Sequence, residues 1–206
     1  MRRLLYEIRI AVHPALWALP AVFAAMRLAG MIWHEGWLPL MEIAYPILFP
    51  LLAVVLLESE RRRKTAEVLI STPVPKPRLL IMRLGAALVP LLGIAAATLP
   101  PSDWLTVLPA GVLLAGVALV VGLLCGTEIG LAVALGWWGL SFAASLGVQG
   151  ILANPVANWF LLILGGAPLS PGALVLRKAV HLGAGVGLIV VCALLVGRRC
   201  WRGLSR

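Results

Sequence analysis

Few groups in this 206-residue chain are spaced for chemistry. His13, His34 and His181 stand at the ends of apolar runs, where an interfacial role is expected. No His-Glu-x-x-His zinc motif occurs. Cys125, Cys192 and Cys200 are an odd set in or just beyond apolar stretches. Their spacing fits neither a zinc site nor a disulfide framework, so packing is their expected role. Neither Gly-x-x-x-x-Gly-Lys-Ser/Thr nor Gly-x-Ser-x-Gly is present, which argues against ATP binding through a phosphate loop and against a serine nucleophile elbow.

The ionic patterns say more. Glu60 and Lys64, then Arg63 and Glu67, are spaced i,i+4 and would support one another along a short helix. Ser71-Thr72-Pro73, with Pro75 and Pro77 behind, stops that helix. Arg27 and Glu42 fall inside apolar runs that a short connection makes antiparallel neighbours. An unpaired Arg near a helix centre costs about 2.5–3.5 kcal/mol on insertion scales, which a partner or a wet cavity reduces. The two could therefore meet as a polar point on a pathway; alternatively Arg27 snorkels outward and Glu42 sits in the interface. Glu128, in the turn Gly126-Thr-Glu-Ile-Gly130, is either a contact for a cytosolic partner or a turn residue.

The elements that must hold these groups are membrane spans. The chain is 62% hydrophobic and 12% charged, with mean hydropathy +1.03, which excludes an ordinary soluble domain. A net charge of +9 would point to nucleic acid in a soluble protein. Here the basic residues cluster beside apolar runs, so anionic membrane lipid is the expected partner and nucleic acid is not. About 20 apolar residues cross a bilayer. The expected fold is all-α integral membrane, a single transmembrane domain over 1–206 with six spans at 15–33, 38–57, 80–99, 104–125, 129–148 and 179–196. Trp33, Trp37 and Trp104 fall at span ends. Pro20, Pro46, Pro50, Pro90 and Pro109 predict kinks. Glycine is dense in the last three spans, which lets helices approach closely in lipid.

Residues 2–13 read as an amphipathic helix in the cytosolic interface. Leu4, Leu5, Ile8, Ala11 and Val12 share one face; Arg2, Arg3, Glu7, Arg9 and His13 take the other. This start resembles a signal peptide only superficially and is expected to be retained. Most basic residues lie in three segments: 2–9, 58–83 and 198–206. Arg27, Arg177 and Lys178 are the exceptions. The positive-inside rule then puts both termini in the cytosol of a multi-pass protein of the cell (plasma or inner) membrane, with Arg177-Lys178 anomalous at an outer boundary. Residues 149–176, with Asn154-Pro155, a short apolar piece and Gly165-Gly166, are too broken to span. They fit a re-entrant outer segment or an interfacial hairpin.

The interval 58–83 is the only long polar stretch between apolar runs. It carries Glu58, Glu60, Arg61, Arg62, Arg63, Lys64, Thr65, Glu67, Leu69, Ser71, Thr72 and Pro73. Its pattern, Glu-x-Glu-x-x-x-x-Thr-x-Glu-x-Leu-x-Ser-Thr-Pro-Val followed by Arg-Leu-Leu, resembles ABC transporter permeases of the type 2 exporter class. The likeness covers about 25 residues; beyond it the resemblance is one of hydropathy layout. It implies that 58–78 is a cytosolic coupling helix between spans two and three, and that these residues and Glu128 rest on a separate ATP-binding subunit. It also implies an interfacial helix before span one and a re-entrant segment before span six. The plain alternative for 58–78 is a basic loop lying against lipid headgroups.

The resemblance implies a non-catalytic permease subunit that exports a hydrophobic or amphipathic substrate. It would carry no cofactor itself, with ATP and Mg on the partner, and would pair with a second permease, identical or sister. The competing readings are a six-span membrane enzyme acting on lipid, which lacks an obvious acidic or histidine cluster, and a non-transporting scaffold or immunity protein.

Overall fold

The computed structural model describes residues 25, 45–55, 57, 81, 84–85, 91, 93, 101–145 and 170–203. The expectations for 2–13, 58–78, Arg27, Glu42 and 149–169 lie outside them. The described chain is helical: α1 (Tyr45–Val55), α2 (Pro101–Cys125), α3 (Thr127–Ser145) and α4 (Pro171–Gly203). The last three contain segments long and apolar enough to cross a bilayer, Val107–Cys125, Thr127–Ala144 and Gly172–Val196, the property of a membrane protein. A helix satisfies its own backbone polar groups, the condition for surviving in hydrocarbon.

Local chemistry sets the helix ends. α2 opens with Pro101 at its first position, where a missing N–H costs nothing. It continues through buried Pro109 and stops at Cys125, because Gly126 takes φ 118°. The Gly126 amide donates to the Gly122 carbonyl at 3.1 Å, and the Gly130 amide to the Gly126 carbonyl at 3.0 Å. One non-helical residue thus turns the chain between two spanning helices. A side chain at Gly126 would meet nothing within 4 Å, so Gly126→Ala isolates the backbone term. That variant is expected to lose about 1–2 kcal/mol, read as a lower unfolding temperature in detergent without loss of helix content.

α4 is capped by Ser170: its Oγ accepts from the Ala173 amide at 3.3 Å and its carbonyl from the Leu174 amide at 3.0 Å, with Pro171 next. This cap starts the helix eight residues before the expected 179. Residues 171–176, expected in the outer segment, therefore belong to the last helix. The other two long helices match the expected spans more closely: α2 covers 104–125, and α3 begins two residues before 129.

α2 is the centre of the described bundle. Its spanning window is 61% buried, against 28% for α3 and 22% for α4. One core joins Tyr45, Phe49, Leu52, Ala53 and Leu57 to Val107, Ala115 and Leu119 of α2 and to Cys192 and Ala193 of α4. A second joins Ala110, Leu113, Leu114 and Ala118 of α2 to Ala134 of α3. The Tyr45 hydroxyl donates to the Leu91 carbonyl, tying α1 to the expected third span. Tyr45 also meets Phe49 edge-on, with ring centroids 5.5 Å apart. Pro46 and Pro50 are fully buried in α1.

Glycine contacts give the helix directions. A Cβ on Gly130 would stand 2.5 Å from the Ala118 carbonyl oxygen and from the Gly122 amide nitrogen, so α3 folds back antiparallel on α2 at backbone contact. Gly185 meets Val112 and Leu113, and Gly116 meets Leu188. Both residue numbers rise together, so α4 runs parallel to α2. In lipid, association of this kind rests on close packing, which small residues permit.

Candidate functional site

The inward stripe of α4 begins with charge. Lys178, His181, Gly185 and Cys192 recur every three, four and seven residues and are buried, with Arg177 alongside. Arg177 and Lys178 are each 3% exposed and His181 is 4% exposed. The neighbouring Leu176, Val180 and Leu182 point outward, as do Val186, Val190 and Leu194 farther along. A snorkelling residue would put its head in the exposed set. These three do not: they are inside the protein.

Arg177-Lys178 was expected at an outer boundary and His181 at an interface; the structure adds that all three are enclosed within the protein, near the start of a 33-residue helix. The missed signal was legible as the Ser170-Pro171 cap, which puts Arg177 in the second turn rather than before the first. Cys192 packs as expected, buried in the core, whereas Cys125 is exposed.

The parallel register locates the trio along the bundle. Arg177 precedes Gly185 by eight residues, about 12 Å of helix, which brings it level with Leu105 near the start of α2. Glu128 lies beyond the other end of α2, exposed in the first turn of α3, about 30 Å away along that axis. The buried basic trio and the exposed acid thus occupy opposite ends of the bundle, one bilayer thickness apart.

Electrostatics make the trio costly. A guanidinium stays charged in proteins. Taking a cation out of water costs several kcal/mol unless negative charge and hydrogen bonds compensate. Each of the three residues is engaged within the fold. Yet among the described residues Nε and Nη2 of Arg177 and Nδ1 of His181 are buried without a hydrogen bond.

On α3, Trp138 stacks on Phe142 with centroids 5.6 Å apart, and the Ser141 hydroxyl donates to the Trp137 carbonyl at 2.9 Å. Both contacts lie within one helix: an i,i+4 aromatic pair, and a hydroxyl whose polar group is satisfied by the i−4 carbonyl. Among the described residues no three His, Cys, Asp or Glu side chains gather to hold a metal ion. Of the site residues expected from sequence, only Glu128 lies among the described residues, and it is exposed. Comparison with family models, curated proteins and solved structures finds no match for this chain.

Proposed function

We propose that this chain is the membrane-spanning permease subunit of an ATP-driven exporter resembling the type 2 ABC class. A separate subunit binds ATP and Mg and hydrolyses the nucleotide, and a second permease, identical or sister, completes the pathway. The observation that carries this reading is the charged run 58–73, closed by Ser71-Thr72-Pro73, in a chain otherwise built of apolar runs. Helical membrane-crossing architecture supports it, and so do the large outward apolar faces of α3 and α4, where Ile129, Val133, Leu140, Val186 and Val190 are exposed. Such faces suit hydrocarbon or a second permease.

In this reading ATP closes the partner subunits, and the helix within 58–72 carries their movement into the bundle. Glu128 offers a second contact on the cytosolic side. Arg27 and Glu42 form a polar point near the outer exit. The one-residue turn at Gly126 joins α2 and α3 stiffly, so displacement at Glu128 reaches both helices.

The test is biochemical. The tagged chain, taken from its native membrane in mild detergent, is expected to bring an ATP-binding protein with it. That complex should hydrolyse ATP, and the stripped chain should not. ATP turnover by the purified chain alone would overturn the reading, as would gentle purification that never yields an ATP-binding partner.

A further inference from the structure

We propose that α1 is a two-part lever hinged at Pro50, its first half anchored and its second half able to swing away from α2. α1 runs alongside α2 in the same direction, since Phe49 lies against Gly111 and Leu57 against Gly122. The helix continues through Pro50, which is fully buried, as is Pro46 four residues earlier. Pro50 has no N–H, so the backbone bond from that position to the Pro46 carbonyl does not exist, and the proline ring crowds the same carbonyl. α1 therefore lacks a rung where its two halves join, and an interrupted ladder is where a helix bends.

The two halves are held differently. Ahead of the break, the Tyr45 hydroxyl donates to the Leu91 carbonyl, Tyr45 and Phe49 meet edge-on, and the Phe49 ring fills the space that a Cβ on Gly111 would need. A hydrogen bond and a ring lodged on α2 backbone fix this half. Beyond the break, Leu52, Ala53 and Leu57 are buried and apolar, while Leu51 and Val55 face outward. A Cβ added at Gly122 would stand 3.5 Å from Leu57, an ordinary contact distance. Apolar side chains part without leaving a hydrogen bond unmade, whereas the first half cannot move without breaking one. Leu57 leads directly into the charged interval at Glu58. In the export reading, on which this last step rests, movement of that interval bends α1 at Pro50 and leaves Tyr45 and Phe49 in place. The hinge itself does not depend on that reading.

Amide hydrogen exchange on the full chain in nonionic detergent tests the hinge. Pro50→Ala and Pro50→Val both restore the missing donor but differ in bulk, so agreement between them assigns the effect to the rung and not to packing. In each, exchange at Leu51–Val55 is expected to slow about tenfold, the scale of one net backbone hydrogen bond, while Val112–Leu119 of α2 exchanges as before. A second measurement leaves Pro50 untouched: a disulfide between Leu57→Cys and Gly122→Cys, made with Cys125→Ser and Cys200→Ser, ties the second half to α2 and should slow the same amides. Exchange at Leu51–Val55 that is unchanged in the folded proline variants overturns the hinge, as does exchange indifferent to the crosslink. The coupling step is read in the complex co-purified with an ATP-binding subunit, where ATP should alter exchange at Leu51–Val55 and not at Ile47–Phe49. An equal change in both halves, or none in either, overturns that step. A chain that never brings such a subunit with it overturns the export reading and leaves the hinge result standing.

Discussion

Gly130→Ala and Gly185→Ala are expected to be among the most damaging single-methyl changes in the described chain, each costing about 3 kcal/mol, the upper end for overpacking. The added carbon has no flexible neighbour to push aside. At Gly130 it meets the Ala118 oxygen and the Gly122 nitrogen at 2.5 Å; at Gly185 it meets the Leu113 nitrogen and the Val112 carbonyl carbon at 2.7 Å. Every one of these atoms is α2 backbone, so relief requires the helices to separate. α2 is the central helix, and parting it from α3 or α4 loosens the core that both share. Against a total stability of about 5–15 kcal/mol the loss is large. Gly136→Ala and Gly187→Ala are the matched controls: nothing lies within 4 Å of either new carbon, and alanine is the better helix former. Thermal unfolding in detergent should show a clear drop for the first pair and none for the second. Equal melting across all four variants would mean that α2 does not approach its neighbours at backbone distance.

How much of this was readable in the sequence divides along physical lines. Spans are set by length and apolarity, so α2 and α3 fall close to the expected 104–125 and 129–148. The Gly126 turn was legible because little but glycine closes a one-residue connection at φ 118°. Which glycines touch was not legible. Gly116 and Gly185 meet at backbone distance while Gly183 and Gly187, on the same helix and equally small, face outward. That distinction depends on helix rotation, which composition does not specify. The start of α4 was missed for a different reason. Charge at Arg177-Lys178 interrupts the hydropathy signal, and the Ser170-Pro171 cap that overrides it is a local hydrogen-bond signal. Local capping plus the inward stripe therefore places two cations inside the protein, on a helix that is still apolar enough on average to cross a bilayer. A buried charge is a different object from a charge at an interface.

If the chain is the proposed permease, reversing Glu60 and Glu67 together to Lys is expected to weaken assembly with its ATP-binding subunit while leaving membrane insertion intact. On a helix the i,i+4 spacing would make Glu60–Lys64 and Arg63–Glu67 attractive pairs, and the variant would make both repulsive. Within an isolated helix each exposed pair is worth only about 0.3–0.5 kcal/mol, too little to unmake the segment, particularly with the Ser71-Thr72-Pro73 stop still in place. The dominant loss must come across the interface. Like charges brought together at a docking surface cost several kcal/mol and slow the encounter, so co-purified ATP-binding protein should fall by a factor of about ten or more. Its coupled ATP hydrolysis should fall with it. The charge-preserving Glu60→Asp/Glu67→Asp should keep both. Insertion is not threatened, because the reversal adds positive charge to a segment that the positive-inside rule already favours on the cytosolic side. The opposite outcome has a definite meaning: if the doubly reversed chain assembles fully and supports ATP hydrolysis, the interval is a lipid-facing basic loop, to which extra cations only add attraction for the anionic leaflet.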